Sequence, residues 1–520
     1  MPKQKTDDLI QLINSLTRAE KRHFRLFVKR NQASDDILFL QLFDFLEKRN
    51  EYDENLILKK LTGIKKRQLS NLKAHLYKQL LISLRLLATK NAPDIQIREM
   101  LDYARVLYDK GLYRQSLDLL AKARQKAEHA NYHPLNLEIL EFEKHIEGQY
   151  ITRSIEGRVE ELANSSDQLV DQIVQSNQLS NLALQLYGWY LKVGYVKNEK
   201  DYFFLKEYFN SNLPDYEYHT LGFMSKLHYC QAHIWYFHMT QEFAYAYRWA
   251  QKWVDLFHDQ PDMIEMHTPL YLKSMHNLLS SLYNALYYSK LDETLKELLA
   301  LPKKIDITSR KNVEGLFLLF KYIHLIKWHF LKGTFSEGTK LVPELVGKIE
   351  QDEYGWDDHR IMLFYYRIAC LYFGSGDNDS AITYLNLIIN QKNPDYRTDI
   401  QSFSRILNLI AHFELGNAQL VEYQVKSVYR FLGKMGDLGA VQKEIFRFLR
   451  RIPRIREVDL KAAFIELRDK LLLLEDDPFE RRPFLYLDII SWLESKIEDR
   501  TVQEVIQEKY QQQLNAQLNK

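Results

Sequence analysis

One phrase recurs along this 520-residue chain: an aromatic-rich helix, a short turn, and a second helix with a small residue near its start. Clear copies are centred on Gly111, Gly333, Gly376 and Gly416. A single helix pair cannot bury its apolar face alone, so each pair needs the next pair to cover it. The recurrence therefore predicts a stacked array of helix pairs, an arrangement that a long chain can adopt without one oversized core.

The composition favours long helices joined by short turns. Only 18 Gly and 12 Pro are present, so few positions break a helix. Turns are expected near Gly111, Gln241, Ser289, Gly333, Gly376 and Gly416. A basic segment precedes the array. A helical segment follows it and ends in the polar tail QQQLNAQLNK, whose last few residues are expected to be frayed.

Two copies carry residues typical of a known repeat. The matching positions are Ala369, Tyr372, Gly376, Asp377, Ala381, Ile382, Tyr384 and Leu385 in one copy, and Ala104, Leu107, Gly111, Tyr113, Ser116, Leu117, Leu120 and Ala123 in the other. These segments resemble tetratricopeptide repeats, in which a small residue and an aromatic residue of the first helix meet a small residue of the second. The Gly333 copy keeps Phe335 and Gly338 but has Ile326 at the small position.

The resemblance implies an all-α fold, a right-handed solenoid of antiparallel helix pairs. Three parts are expected: residues 1–90 form a basic N-terminal helical module, residues 94–431 the tetratricopeptide-like array, and residues 432–520 a helical C-terminal cap. Pro93 marks the first boundary.

The resemblance also implies a concave, peptide-binding groove lined by the first helices. Its register places nine side chains there: Arg105, Tyr108, Ile323, Lys327, Phe330, Tyr366, Phe373, Ile406 and Phe413. Rings and a few cations suit an apolar peptide that bears carboxylates. Alternatively, the curvature of the array closes the groove and these rings pack on one another.

The N-terminal module has a different signature. Residues 1–90 hold 19 Lys/Arg and 10 Asp/Glu, and Thr17 and Glu20 fit a capping box at a helix start. Around the turn at Gly63, apolar residues have the spacing of a helix-turn-helix: Leu58, Ile64, Leu69 and Leu72. Candidate nucleic-acid contacts are Lys65, Lys66, Arg67, Lys73 and Lys78. Lys59 occupies a position that normally demands a small residue, so a solvated basic face or an acidic protein partner is an alternative.

Motifs for catalysis or for a bound group are missing from the sequence. There is no H-E-x-x-H, no G-x-x-x-x-G-K-[ST] and no G-x-S-x-G. Cys230 and Cys370 are too few for a disulfide framework or a cysteine metal site. His228, His233 and His238 recur every five residues, a step that turns them to different sides of a helix. We therefore expect no enzyme, no metal and no cofactor.

Two polar loops are interpreted as helix starts. The segment around Gly376 is expected to be a turn with Asn378 or Asp379 capping the next helix, and the acidic segment 352–359 a loop capped by Asp357 or Asp358.

The expected function is non-catalytic. We expect a cytoplasmic scaffold or adaptor that binds a protein or peptide on the concave face, because no signal-peptide core opens the chain and Lys321 and Lys327 interrupt its most apolar stretch. No membrane contact is expected. The alternative is a transcriptional regulator, in which residues 1–90 bind DNA and the repeats act as a sensor.

Overall fold

The computed structural model describes residues 8–31, 38–49, 53–61, 63–88, 92–150, 157–391, 398–434, 438–452, 455–485 and 487–518. Every regular element in these ranges is helical, which confirms the all-α prediction. The chain forms two compact units, Met1–Asp171 and Gln172–Lys520. The predicted boundaries near residues 90 and 431 stay predictions, since a compact unit can contain more than one domain.

The first unit begins with five helices: α1 Asp8–Ser15, α2 Arg18–Asn31, α3 Leu38–Leu46, α4 Glu54–Lys60 and α5 Lys66–Ala88. The predicted capping box opens α2, since Thr17 N–H donates to Glu20 and Glu20 N–H donates to the Thr17 hydroxyl. Asp53 caps α4. Phe24, Phe43 and Leu76 are buried in a core that α1, α2, α3 and α5 share.

Three further helices follow in the first unit: α6 Pro93–Asp109, α7 Tyr113–His129 and α8 His133–Tyr150. Helices α6 and α7 pack against each other around the predicted turn, where Gly111 has a φ of 76°. Helix α8 packs on α7. Helix α9, Arg158–Val193, contains the boundary between the two units.

The second unit continues with α10 Glu199–Asn212, α11 Phe223–Met239, α12 Phe243–Asp259, α13 Asp262–Met266, α14 Thr268–Asn284, α15 Tyr288–Ala300, α16 Lys311–Lys332, α17 Phe335–Gly338, α18 Val342–Glu350, α19 Asp358–Ser375, α20 Asn378–Ile389, α21 Thr398–Glu414, α22 Ala418–Lys434, α23 Ala440–Arg451, α24 Glu457–Glu475, α25 Ile489–Glu498 and α26 Val502–Leu518. Short 3₁₀ turns lie at Tyr218–Thr220, Leu301–Lys303, Thr339–Leu341 and Arg482–Leu485.

Helix pairs in the second unit share one kind of turn. A residue with positive φ separates α11 from α12 (Gln241), α14 from α15 (Leu286), α16 from α17 (Gly333), α19 from α20 (Gly376) and α21 from α22 (Gly416). The predicted turns are therefore present, although the turn expected at Ser289 lies at Leu286. The sequence misplaces this turn because its left-handed residue is a leucine, Leu286, and not a glycine. Helices α11, α14, α16, α19 and α21 are called the first helices below.

The C-terminal helix α26 packs back on this unit. Its glutamines lie on one face and bind the turns: Gln507 donates to the Gly333 carbonyl and Gln517 to the Leu286 carbonyl. Gln503 accepts from Ser336 N–H, and Gln513 accepts from the Tyr288 hydroxyl. The helix continues as far as Leu518, and its glutamine side chains satisfy exposed backbone groups at the turns.

None of the described helices combines the length and the apolarity that crossing a membrane requires.

Candidate binding surface

The first helices of the second unit are unusually poor in acidic residues. Within α11, α14, α16 and α19, the described acids are Glu314 and Asp358, and both lie in a first turn. The same four helices carry several basic and imidazole side chains among their apolar residues. Six of them form what we call the cationic surface: Lys273 and His276 on α14, His324 and Lys327 on α16, and Arg360 and Arg367 on α19. Lys273 and Arg360 are exposed, whereas the others are partly or fully buried.

Lys327 is the most perturbed cation of this surface. Its ammonium lies 4.7 Å from the centre of the Tyr283 ring, a cation–π contact between α16 and α14. Burial, and next the positive charge of Arg367, lower the pKa of Lys327 to about 7. No carboxylate within the described ranges forms an ion pair with it. Lys327 is partly buried and keeps some accessible surface.

Two histidines lie beside Lys327. His276 Nδ1 and His324 Nε2 are 2.9 Å apart and share one hydrogen bond, and the His276 ring stacks on Phe320. Burial first, and then neighbouring positive charges, hold the pKa of both imidazoles well below the usual value. Both rings are therefore neutral at pH 7. His324 is 2% exposed, and its Nδ1 atom has no hydrogen-bonding partner in the described structure.

The outer end of the cationic surface is also crowded with positive charge. Burial, and then the charge of Arg360, lower the pKa of Lys273. Arg360 lies 3.4 Å from Asp357, an exposed ion pair at the start of α19. Lys273, in turn, helps burial to lower the pKa of His228 on α11. Mutual repulsion of this kind indicates a surface that a negatively charged group would stabilise.

The chemistry of the cationic surface is that of an oxyanion receptor. The Lys327 ammonium has three N–H donors, and the groups found against it are a ring face and further donors. A carboxylate or phosphate group carries only hydrogen-bond acceptors, so it would accept the hydrogen bonds that the Lys327 ammonium can donate.

The two cysteines are poor nucleophiles in this structure. Burial raises the pKa of Cys370 to about 12 and that of Cys230 to about 12. Both thiols are therefore protonated at neutral pH, and a thiolate is the reactive form.

Four of the nine residues predicted for the groove are buried: Ile323, Tyr366, Phe373 and Ile406. Tyr366 is enclosed beside Cys370, and Ile406 has no exposed surface. A side chain enclosed in this way packs in the core, so a peptide cannot contact it in this conformation. The periodicity of the first helices does not separate a buried face from the partly exposed face beside it.

The other five predicted groove residues keep accessible surface. Arg105 lies over the Phe142 ring, and Tyr108 donates to Gln149, both in the first unit. Phe330 packs on Phe335, and Phe413 lies near Trp492, both in the second unit. Lys327 is the one that belongs to the cationic surface. Peptide contact stays a prediction for these five.

The predicted nucleic-acid contacts lie at the start of α5. Lys65, Lys66, Arg67 and Lys78 are exposed, and Lys73 is partly buried. Lys66 forms an exposed ion pair with Glu54 at 3.5 Å. Under this basic face, the apolar positions of the predicted helix-turn-helix behave as expected: Ile64 and Leu69 are buried, and Leu58 and Leu72 are partly buried. Contact with nucleic acid stays a prediction.

The polar loops act as helix starts. Asp377 caps α20 by accepting from Ser380 N–H, one residue before the expected Asn378 or Asp379. Asp357 caps α19 as expected.

The histidines of α11 are not arranged as metal ligands. His233 is buried, and its pKa is lowered to about 4 by burial. In the described ranges, no three His, Cys, Asp or Glu side chains are grouped closely enough to hold a metal ion.

A surface cleft of about 530 Å³ lies between the end of α16 and α26. Its charged groups already have partners: Arg500 binds Glu508 at 2.6 Å, and Lys332 lies over the Trp328 ring. The cleft is therefore a weaker candidate for an ionic ligand than the cationic surface.

Comparison with protein-family models, with curated proteins and with solved structures gave no significant match. Sequence reasoning identified Lys327 but missed Lys273, His276, His324, Arg360 and Arg367. The available signal was the near absence of acidic residues from the first helices.

Proposed function

We propose that the chain is a non-catalytic binding protein whose second unit holds an acidic segment of a partner protein on the cationic surface. In this proposal the second unit is a solenoid of antiparallel helix pairs, and the cationic surface lies on its concave side. Serial packing supports the arrangement, since α12 packs on α14, α14 on α16 and α20 on α21. The left-handed residue at each turn supports it too, because it lets two helices of a pair fold back on each other.

One observation carries the proposal: three successive first helices bring Lys273, Lys327, Arg360 and Arg367 together with almost no acidic residue among them. Lys273 and Lys327 form no ion pair with a described residue. The pKa values of Lys327 and Lys273 are both lowered by burial and then by a neighbouring arginine, so these two lysines point to a negatively charged ligand.

A protein segment fits this surface better than a nucleic acid does. Lys327 and Arg367 are partly buried between helices, where the slender side chain of glutamate or aspartate can reach. Phosphates of a nucleic-acid backbone are contacted by cations that project into solvent. The exposed lysines at the start of α5 have that character, but Lys327 and Arg367 do not.

The test uses the full chain and a fluorescein-labelled peptide of twelve glutamates, followed by fluorescence anisotropy. The double variant Lys273→Glu, Arg360→Glu reverses two exposed charges of the cationic surface, and it should weaken binding at least tenfold. The matched control is Lys296→Glu, because Lys296 is an exposed lysine on the second helix α15. A single-stranded oligonucleotide of twelve thymidines is the competing probe.

Three results would contradict the proposal. These are the absence of peptide binding at low salt, an equal loss of affinity in Lys296→Glu, and tighter binding of the oligonucleotide at the same surface.

A second candidate function is DNA binding by the first unit. Lys65, Arg67 and Lys78 are exposed and form no ion pair with a described residue. Free cations at the start of a helix are what contact with phosphates requires.

A further inference from the structure

We infer that helices α22 and α23 form a binding surface for single-stranded nucleic acid, in which exposed cations contact phosphates and Tyr423 stacks on a base. This surface is built from other helices than the cationic surface, although both belong to the second unit. The inference goes beyond the proposed function and does not rest on it.

The charge of these two helices is strongly one-sided. Their acidic residues are Glu422 and Glu444, against three basic residues on α22 and four on α23. The basic residues are Lys426, Arg430, Lys434, Lys443, Arg447, Arg450 and Arg451, and all of them are exposed. Arg447 pairs with Glu444, and Arg451 with Glu466 at 3.2 Å. The other five form no ion pair with a described residue, so they are free to contact an anion.

One face of α22 carries a row of cations and an exposed ring. Lys426, Arg430 and Lys434 are four residues apart, so they lie about 6 Å from one another along the helix axis. Tyr423, three residues before Lys426, is 80% exposed on the same face. Val421, on the opposite face, is fully buried. The helix therefore presents a ring and successive positive charges to solvent.

Helix α23 adds a second row of cations. Lys443, Arg447 and Arg450 lie on its exposed side, whereas its apolar residues are buried. Helices α22 and α23 pack against each other, and the rings of Tyr429 and Phe446 lie 5.6 Å apart between them. Tyr429 is 41% exposed, so the seam between the two helices reaches solvent. The two rows and Tyr423 are called the C-terminal basic surface below.

This combination of groups fits a single strand better than other polyanions. Phosphates of a single strand bind exposed Lys and Arg side chains, and its unpaired bases stack on aromatic rings. A run of carboxylates would use the cations alone and leave Tyr423 without a role. An anionic membrane binds helices that offer it large apolar side chains, but the apolar residues of α23 are buried.

The test is binding of the full chain to a fluorescein-labelled oligouridine of twelve nucleotides, followed by fluorescence anisotropy at several salt concentrations. The triple variant Lys426→Gln, Arg430→Gln, Lys434→Gln should flatten the log–log salt slope by about two units, because each phosphate contact with a single strand contributes about 0.7. These side chains are exposed, so the melting temperature should match that of the native chain.

The matched control for charge is the triple variant Lys206→Gln, Lys296→Gln, Lys340→Gln. It removes three exposed lysines elsewhere in the second unit and should leave the slope unchanged.

The role of the ring is measured separately. Tyr423→Ala should weaken oligouridine binding about tenfold, because it removes the stacking partner of a base. A strand of twelve abasic phosphodiesters has the same charge but no bases, so it should bind Tyr423→Ala and the native chain equally. Tyr103→Ala is the control, since Tyr103 is 54% exposed on α6 of the first unit.

Four results would overturn the inference. Two concern the strand itself: no oligouridine binding at low salt, or an equal flattening of the slope in the lysine control. A third is native affinity in Tyr423→Ala. The fourth is a competitor that binds the C-terminal basic surface more tightly than oligouridine does. The competitors are the twelve-glutamate peptide, which represents an acidic protein, and vesicles of phosphatidylserine and phosphatidylcholine, which represent a membrane.

Discussion

Two groups of cationic side chains in this protein differ mainly in their access to water. At the start of α5, in the first unit, Lys65, Lys66 and Arg67 project into solvent. In the second unit, Lys327 and Arg367 lie partly buried between first helices. Water screens the exposed group at almost no cost, whereas burial lowers the pKa of Lys327 to about 7.

The comparison shows that the number of charges is a poor guide to their effect. Residues 1–90 stand out by composition, yet their cations cost the fold little because they are solvated. The cationic surface has few charges, but burial and a neighbouring arginine disfavour the charged forms of two of them, Lys327 and Lys273. A ligand of opposite charge can relieve the electrostatic cost of holding buried positive charges. The cationic surface therefore has a stronger functional implication than the exposed cations of α5.

The largest expected effect concerns the pH dependence of stability. The folded pKa of Lys327, about 7, lies below the value of about 10.4 for an unfolded lysine, so the unfolded chain binds more protons between these values. The free energy of unfolding should therefore rise with pH across this window and be lowest below pH 7. Lys327→Met should raise it at pH 6 by up to about 5 kcal/mol, and should remove a rise of roughly 2 kcal/mol between pH 7 and pH 9.

Urea unfolding followed by tryptophan fluorescence measures this effect cleanly. All seven tryptophans, from Trp189 to Trp492, lie in the second unit. Lys66→Met is the matched control from the exposed group; because Lys66 lies in the first unit, its unfolding is followed by far-UV circular dichroism, and its effect should stay within about 0.5 kcal/mol at every pH. Equal pH profiles for the native chain and Lys327→Met would show that Lys327 is solvated like Lys66, and the comparison would fail.

The next effect tests the packing of a helix pair beside the cationic surface, α19 with α20. Ala381 in α20 is fully buried against the first helices. Ala381→Glu forces extra volume and an unpaired charge into this seam, and should cost on the order of 3 kcal/mol in the free energy of unfolding. Asn386→Glu, on the exposed side of the same helix, is the control. An unchanged urea midpoint for Ala381→Glu would mean that the helix pair does not pack as described.

A smaller effect tests whether α26 braces the second unit. A Cβ atom added at Gly333 would meet backbone atoms of Gln503 and Gln507 at 2.8 Å, whereas one added at Gly376 would meet nothing within 4 Å. Both glycines have positive φ, so alanine strains each turn by about 1 kcal/mol. Gly333→Ala should cost about 1 kcal/mol more than Gly376→Ala in tryptophan-monitored urea unfolding. Equal costs would show that α26 does not rest on this turn.

The fold was predictable from local signals. Low glycine and proline content, apolar residues at helical spacing, and glycines at the turns all act within a few residues of one another, so the sequence alone indicates helix pairs. The turn at Leu286 was misplaced because no glycine marks it. The packing of α26 was missed because its glutamines bind groups more than 150 residues away, as in the bond from Gln507 to Gly333.

The candidate site was predictable only in part. Lys327 was found through the repeat register, but its environment depends on Tyr283 and Arg367, which belong to other helices. The same register assigned Tyr366 and Ile406 to a groove, although both are buried. Spacing along one helix identifies a face, but only the packing of neighbouring helices decides whether water reaches that face.

The smallest expected effect on stability belongs to the exposed group, and it tests the second candidate function. The triple variant Lys65→Gln, Lys66→Gln, Arg67→Gln should change the free energy of unfolding by little, because surface substitutions usually stay within about 0.5 kcal/mol each. If these cations contact phosphates, binding of the full chain to duplex DNA should weaken steeply with salt. Each removed charge should then flatten the log–log slope by about one unit.

Its control uses the other group of cations. Lys273→Glu, Arg360→Glu should leave the duplex salt slope unchanged, because these side chains belong to the second unit and are assigned to the acidic segment. If the full chain does not bind duplex DNA at low salt, the cations of α5 form a solvated face that has no role in DNA binding. If the second-unit variant flattened the slope as much as the triple variant did, both groups would respond to any polyanion, and partial burial would no longer explain a difference between them.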